Sequence, residues 1–192
     1  MPPKAKFTKQ EIIDAALEII ETDGIELLTA RSLGERLGSS ARPIFTTFNS
    51  MEEVISDTTA YANEIYTKYV EKGLKEALPF KGVGENYIKF ASERPKLFQL
   101  LFMKESNNIP DMRTVLQGIE SSYNKILNSI VSSYNVDHEQ AKKLYLHIWI
   151  YSHGIAVLTA TKVCEFTTEQ VSEMLSDVFI SILKRIKSGE IK

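Results

Sequence analysis

The sequence predicts an all-α protein of about nine helices. Apolar residues recur at intervals of three and four along most of the chain, and no stretch alternates apolar and polar residues as a strand does. Several of the apolar segments begin just after a Ser, Thr or Asp residue. In each case a Glu or Gln stands three residues after that Ser, Thr or Asp. This pattern is the capping-box signature of a helix start. With 192 residues, 43% of them hydrophobic, the chain has room for one or two packed domains.

The first predicted helix begins after Thr8. Thr8 and Glu11 have capping-box spacing, and Phe7 with Ile12 has the spacing of a hydrophobic staple. The residues before it, 1–6, are expected to form a mobile basic arm.

Residues 28–48 are predicted to form two short helices joined by a tight turn. Thr29 is a good N-cap, and Leu33 and Leu37 share one apolar face. Gly38 comes next, where a left-handed residue is needed to end the first helix.

Two observations predict the second short helix. Pro43 suits the first turn of a helix, and Ile44 and Phe48 are four residues apart, so they share the face of the helix that packs on the protein. Its outward side is small and polar: Ala41, Arg42, Thr46 and Thr47. This arrangement is a helix-turn-helix, in which the second helix fits the major groove of DNA.

The rest of the chain is also predicted to be helical. Ser50 and Glu53 open a long helix that reaches Lys72 or Leu78, so no flexible linker separates the N-terminal unit from the C-terminal one. The predicted domains are residues 1–50, for DNA binding, and 51–192, for regulation and dimerisation. Further helices are expected over 83–92, from Pro95 to 103, over 112–134, from 138 to about 163, and from 171 to about 187, with a loop at 106–108.

The net charge and the cysteine content say less about function and location than the helical pattern does. The net charge of −2 does not by itself support nucleic-acid binding, so the placement of charges has to provide it. Cys164 is the only cysteine, which excludes an intramolecular disulfide and suits a reducing compartment. The chain has neither an apolar run of membrane-spanning length nor the apolar segment of a secretory signal, so no membrane association and a cytoplasmic location are expected.

The last two helices have apolar surface on more sides than one small chain would cover. Pairing them with a second copy would form a four-helix bundle around a two-fold axis. The alternative is that they close a monomeric core. The predicted dimer interface comprises Gly154, Val157, Val171, Met174, Leu175, Val178, Phe179 and Ile182.

The middle helices are rich in aromatic residues, which suits a pocket for a small hydrophobic or amphipathic effector. A stripe of aromatic residues at helical spacing also builds an ordinary core, and His153 beside Trp149 has the same two interpretations. The predicted pocket residues are Tyr61, Phe90, Phe98, Phe102, Tyr123, Trp149 and His153.

Residues 7–55 resemble the tetracycline-repressor (TetR) family of transcriptional regulators. The similarity lies in an N-terminal helix followed by T-x-R-x-L-x-x-x-L-G, P-I-F-x-x-F and S-x-E-E. A second similarity, at WIYSHG of residues 149–154, is to the branch with a Trp/His/Gly signature in its C-terminal domain. The resemblance implies a homodimer that binds a palindromic DNA operator in the bacterial cytoplasm, associated with the nucleoid, usually as a repressor released by a small effector.

The resemblance also implies which residues touch DNA. Ala41, Arg42 and Pro43 would lie nearest the base edges, with the guanidinium of Arg42 suited to guanine. Two positions depart from the family, which usually has tyrosine at Phe45 and lysine at Met51, so two phosphate contacts are lost. Any of the threonines can instead serve only to cap its helix. The predicted DNA-contacting residues are Thr29, Arg31, Ser40, Ala41, Arg42, Pro43, Phe45, Thr46 and Thr47.

Two other classes of protein compete with DNA binding. An enzyme is disfavoured, since three histidines and one cysteine form no recognisable triad and the sequence has no phosphate loop, H-E-x-x-H or C-x-x-C. No catalytic residue, metal ligand or cofactor is therefore predicted. The other rival is a helical protein-interaction adaptor without DNA binding.

Overall fold

The protein is all-helical, as predicted. The computed structural model describes residues 6–104, 110–112 and 114–190, and within these it contains nine α-helices, two short 3-10 turns and no strand. Residues 1–5 of the arm predicted at 1–6, and the predicted loop at 106–108, lie outside the described residues. The helices are α1 Lys9–Asp23, α2 Ala30–Arg36, α3 Met51–Gly73, α4 Pro79–Glu93, α5 Pro95–Phe102, α6 Val115–Ile119, α7 Tyr123–Tyr134, α8 His138–Ala160 and α9 Thr168–Lys187, and the 3-10 turns are Ile25–Leu27 and Ile44–Thr46.

The predicted helix starts are largely confirmed. Reciprocal capping boxes are present at Thr8–Glu11, Asp137–Gln140 and Thr167–Gln170. The start of α3 differs, because the carboxylate of Glu53 accepts a hydrogen bond from the backbone N–H of Asn49 at 2.8 Å. Ser50 still caps the helix, its Oγ accepting from the backbone N–H of Glu53 at 3.3 Å.

The second helix of the predicted pair is only a single 3-10 turn, Ile44–Thr46. Pro43 has no N–H to donate, and the Thr46 hydroxyl donates to the carbonyl of Pro43 at 2.6 Å, where it competes with a backbone donor. Ile44 and Phe48 are nevertheless buried, as their spacing predicted. The anchoring face was therefore predicted correctly, and the length of the helix was not.

The long helix predicted over 112–134 is interrupted. Helix α6 ends at Ile119 and α7 begins at Tyr123, with Glu120 between them in an extended conformation at φ −115° and ψ 104°. The Oε1 atom of Glu120 accepts a hydrogen bond from the backbone N–H of Ser122 at 2.9 Å. This bond satisfies an N–H group near the start of α7 and turns a carboxyl group into the interior.

The chain forms two compact units. The N-terminal unit contains the chain up to Ile65 together with Arg94–Lys104, and the C-terminal unit contains Tyr66–Glu93 and the later residues. The division falls inside α3, so these units differ from the boundary predicted at residue 50.

In the N-terminal unit, α1 packs against α2 and α5. Side chains of α1, α2, the second 3-10 turn and α5 that are 0% exposed form its core: Ile12, Ile20, Leu33, Ile44, Leu97 and Phe98. Ion pairs at its surface join Arg36 to Glu18 at 3.1 Å and Arg94 to Glu21. The short α2 and its turn are thus fixed on a packed base.

In the C-terminal unit, α4 packs against α8, and each of them also packs against α7 and α9. The core of this unit includes Phe80, Phe90, Ile126, Ile130, Leu144 and Ala156.

Candidate functional site

The turn after α2 has a well-defined geometry. The backbone N–H of Gly38 donates to the carbonyl of Glu35 at 3.0 Å, and that of Ser39 donates to the carbonyl of Gly34 at 2.8 Å. These two bonds form a Schellman motif, which places its left-handed residue at Gly38, where φ is +62°. The left-handed glycine predicted from the sequence is confirmed.

Gly34 is a second requirement of this turn, and the sequence pattern did not predict it. A Cβ at position 34 would lie 2.9 Å from the backbone nitrogen of Ala41, 2.9 Å from the carbonyl carbon of Ser40 and 3.2 Å from the oxygen of Ser39. The segment after the turn therefore rests directly on the backbone of α2. A glycine in the middle of a seven-residue helix was the available signal.

The two predicted DNA-contacting arginines differ in their surroundings. The guanidinium of Arg31 donates through Nε to Glu35 at 3.0 Å in an exposed ion pair. Arg42 is exposed and makes no hydrogen bond or ion pair with any described residue. Of the two, Arg42 has its donors available for an external acceptor.

The three threonines already make internal hydrogen bonds. Thr29 caps α2, its Oγ1 accepting from the backbone N–H of Ser32 at 3.1 Å, while its own N–H donates to the Ser32 hydroxyl at 2.9 Å. The hydroxyl of Thr46 donates to Pro43, and that of Thr47 donates to the carbonyl of Phe7 at 3.2 Å. Direct phosphate contacts by these residues stay a prediction, and each would compete with an existing bond.

The remaining predicted contact residues lie on the same segment. Ser40 is exposed, Ala41 and Pro43 are half-buried, and Phe45 exposes 45% of its surface. An exposed phenylalanine here presents an apolar ring where the family usually has a tyrosine hydroxyl.

Two lysines flank this surface. Nζ of Lys6 donates to the hydroxyl of Ser39 at 3.0 Å, which places a cation beside the turn, a contact that the sequence did not predict. Lys9 instead pairs with Asp57 at 2.5 Å, and its Nζ lies 5.4 Å from the ring centre of Phe48. The hydrogen bond that Lys9 donates to the Asp57 carboxylate raises the pKa of Lys9, so its charge is held within the unit.

The predicted pocket residues are divided between the two units. Tyr61, Phe98 and Phe102 belong to the N-terminal unit, where Phe98 and Phe102 pack together with ring centres 5.2 Å apart. Phe90 is fully buried in the core of the C-terminal unit, 5.4 Å from the ring of Tyr66.

The other three predicted pocket residues form part of an aromatic cluster in the C-terminal unit. Trp149 stacks on His153 at 5.1 Å, and Nδ1 of His153 is hydrogen-bonded to the hydroxyl of Tyr87 at 2.8 Å. Tyr123 stacks on Tyr145 at 5.7 Å. Burial lowers the pKa of His153, which favours the neutral imidazole at pH 7. Trp149 also lines a small cavity whose walls include the polar side chains of Glu120 and Ser152.

The predicted interface residues also divide into two groups. Val171 and Leu175 are buried inside the chain, and Phe179 packs on Tyr134 with ring centres 4.7 Å apart. Their side chains pack within the chain. The other predicted interface residues, which are exposed or half-buried, are Gly154, Val157, Met174, Val178 and Ile182. The dimer interface stays a prediction.

The described residues contain neither a membrane-spanning helix nor a metal cluster. No helix among them is both long and apolar enough to cross a membrane. In the same part of the chain, no three His, Cys, Asp or Glu side chains lie close enough together to hold a metal ion.

Comparison with known proteins agrees with this geometry. A family model described as "Tetracyclin repressor-like, C-terminal domain" matches residues 80–180. An uncharacterized HTH-type transcriptional regulator of Mycobacterium tuberculosis is 23% identical over 169 residues, covering 84% of this chain and 74% of that protein.

Solved structures show the same fold. A TetR-like transcriptional regulator from Rhodococcus sp. RHA1 aligns with a TM-score of 0.63 at 14% identity, covering 98% of this chain and 100% of the other. The fatty acid degradation regulator FadR from Bacillus halodurans aligns with a TM-score of 0.60 at 17% identity, covering 94% and 97% of the two chains.

A helix-turn-helix unit joined to a larger helical unit defines the class of this protein as a helix-turn-helix transcriptional regulator. The chain belongs to the tetracyclin repressor-like (TetR) family. The matched proteins are regulators and not enzymes, in agreement with the prediction from sequence. Membership of the Trp/His/Gly branch stays a prediction.

Proposed function

We propose that the protein is a repressor that binds a palindromic operator as a homodimer and leaves it when a small effector binds the C-terminal unit. It would act in the bacterial cytoplasm, on the nucleoid. Arg42 carries the DNA-binding part of this proposal. Its guanidinium is exposed and unpaired among the described residues, on a segment fixed by the Schellman motif and by the contact with Gly34.

An exposed arginine without an ion-pair partner is suited to direct readout of guanine. Its planar donors match the O6 and N7 acceptors of guanine, and it gives up no ion pair in order to bind. The exposed Phe45 ring nearby suits contact with a thymine methyl group or a sugar. Lys6, held beside the turn, adds positive charge for the phosphate backbone.

The outward surface of α8 and α9 supports the homodimer. On α8, Ile150 and Leu158 expose 49% and 39% of their surface, and Gly154 lies between them with no atom within 4 Å of where its Cβ would be. A second helix can approach this face closely, because Gly154 has no side chain and the residues on either side of it are apolar. Met174, Val178 and Ile182 form a matching half-buried row on α9.

The continuity of α3 supports effector control. This helix begins directly after the helix-turn-helix segment, and from Tyr66 onward its residues belong to the C-terminal unit. We propose that an effector in the C-terminal unit favours a position of α3 in which the two recognition segments of the dimer no longer match neighbouring major grooves.

Selection of binding sites from random duplexes, followed by gel shift, tests the proposal. We expect a palindromic consensus, with Arg42→Ala weakening binding by about 1–3 kcal/mol and relaxing the preference at one base position in each half-site. Arg185→Ala removes the same charge from α9 and serves as the control, with near-unchanged affinity. Equal losses for the two variants, or no selected sequence, would contradict the proposal.

A further inference from the structure

The C-terminal unit buries a carboxyl group that forms no ion pair among the described residues. Glu120 is 7% exposed. Its Oε2 accepts a hydrogen bond from the Tyr66 hydroxyl at 2.5 Å, and its Oε1 accepts from the backbone N–H of Ser122 at 2.9 Å. Both partners are neutral. A buried carboxylate without a cation is costly, so its retention in a fold needs a reason.

Glu120 lines the small cavity that Trp149 also lines. The cavity measures about 20 Å³, roughly the space of one small polar group. Ser152 lies on its wall, 3% exposed, and its Oγ has no hydrogen-bond partner among the described residues. An unsatisfied buried hydroxyl and a buried carboxyl on one cavity are two independent signs of a polar ligand group.

A larger apolar cavity lies next to this small one. It measures about 160 Å³, and both cavities are lined by Phe80, Gly84 and Ile148. An apolar cavity of about 150 Å³ is large enough to hold benzene. At the junction, a Cβ on Gly84 would lie 3.3 Å from Cδ1 of Leu175 and 3.6 Å from Oγ of Ser152. Gly84 therefore lies on the wall that the two cavities share, where a larger side chain would take up space.

We propose that the two neighbouring cavities together bind a small amphipathic amine, with its apolar body of about one ring in the larger cavity and its ammonium group on Glu120 and Ser152. Only the further step, that this binding releases DNA, rests on the function proposed above.

The charges around the site favour a cation over an anion. Burial raises the pKa of Glu120, and a bound ammonium would offset that cost by pairing with the carboxylate. Tyr66, Tyr87 and Tyr145 surround the carboxyl, and burial raises the pKa of each, so they stay neutral. With His153 also favoured in its neutral form, the lining of the smaller cavity contains no cation to hold a carboxylate or phosphate group. Lys81 lies on the wall of the larger cavity, where its ammonium group is paired with Glu85 at 3.7 Å.

The chain's only tryptophan provides the assay, because Trp149 lines the smaller cavity. The probes are 2-phenylethylamine, 2-phenylethanol and phenylacetate, which share one apolar body and differ in the polar group. Titrated without DNA at pH 7, the amine is expected to change Trp149 fluorescence with a Kd at least about tenfold below that of the alcohol. Phenylacetate is expected to bind most weakly. Equal affinities, or tightest binding of phenylacetate, would overturn the inference.

Variants locate the site. Glu120→Gln keeps the size and an acceptor for Tyr66, and it should remove the preference for the amine, whereas Glu165→Gln at an exposed position should not. Ser152→Ala, which breaks no protein hydrogen bond among the described residues, should weaken amine binding several-fold even if Glu120→Gln fails to fold. Gly84→Ala should weaken binding of the amine and the alcohol alike. Unchanged amine affinity in Ser152→Ala and Gly84→Ala would place the amine elsewhere and overturn the inference.

A gel shift on the selected operator separates the two proposals. DNA retardation without amine binding would overturn only the effector inference. Amine binding by a protein that retards no duplex would overturn only the DNA-binding function.

Discussion

A methyl group at position 34 would collide with the backbone segment after α2. The hypothetical Cβ lies 2.9 Å from two backbone atoms, on Ser40 and Ala41, and 3.2 Å from a third, on Ser39. No side-chain rotation can relieve these contacts, so the segment itself has to move. Gly34→Ala is therefore expected to affect both stability and DNA binding.

The expected change in the free energy of unfolding of Gly34→Ala is the cost of overpacking minus the gain in helix propensity. Overpacking costs about 1–3 kcal/mol. Because the added methyl group would meet backbone atoms, we expect a cost in the upper half of that range. Alanine gains about 1 kcal/mol over glycine in a helix. The net loss is about 1–2 kcal/mol, which lowers Tm by about 2–8 °C for a chain of this size.

Urea unfolding and gel shift together test this reasoning. Gly118→Ala is the control, because Gly118 is also helical but no atom lies within 4 Å of its hypothetical Cβ. The control should keep or gain stability, while Gly34→Ala should lose stability and bind operator more weakly. The close contact between Gly34 and the backbone of residues 39–41 would be refuted if Gly34→Ala were as stable as the control and bound the operator with unchanged affinity.

Three further predictions concern other parts of the molecule. Thr167→Ala removes the N-cap of α9 and should cost about 1 kcal/mol in urea unfolding, whereas Thr168→Ala, one residue later, should cost much less. Val178→Asp on the outward row of α9 should shift the protein from dimer to monomer in light scattering, whereas Asp177→Asn on the same helix should leave it dimeric. Because burial raises the pKa of Glu120 above 4.5, the folded state binds this proton more tightly than the unfolded chain, and the associated stability is lost as pH rises through the raised pKa. The stability of Glu120→Gln relative to the wild type should therefore increase as the pH rises above about 4.5, and a difference independent of pH would contradict the raised pKa.

Local signals predicted most of the fold. The capping boxes at Thr8, Asp137 and Thr167 depend on residues three apart, so the sequence alone locates these helix starts. The left-handed turn at Gly38 obeys the same kind of local rule.

The features that the sequence did not predict depend on tertiary contacts. The recognition segment is held by a hydrogen bond from the Thr47 hydroxyl to the carbonyl of Phe7, which is 40 residues earlier. Glu120 falls inside the helix predicted over 112–134, yet it interrupts that helix and is buried, where Tyr66, 54 positions earlier, donates a hydrogen bond to it. The need for glycine at positions 34 and 84 likewise depends on which atoms approach them.

The central claim is that two copies of the chain place their Arg42 segments in successive major grooves. The direct measurement is operator affinity as a function of the spacing between half-sites, in gel shifts at low and high salt. The account predicts tight binding when half-site centres are about 10 base pairs apart, a steep loss with salt, and a large loss when about 5 base pairs are inserted. Affinity that does not change with spacing, or no retardation of any duplex at low salt, would contradict it.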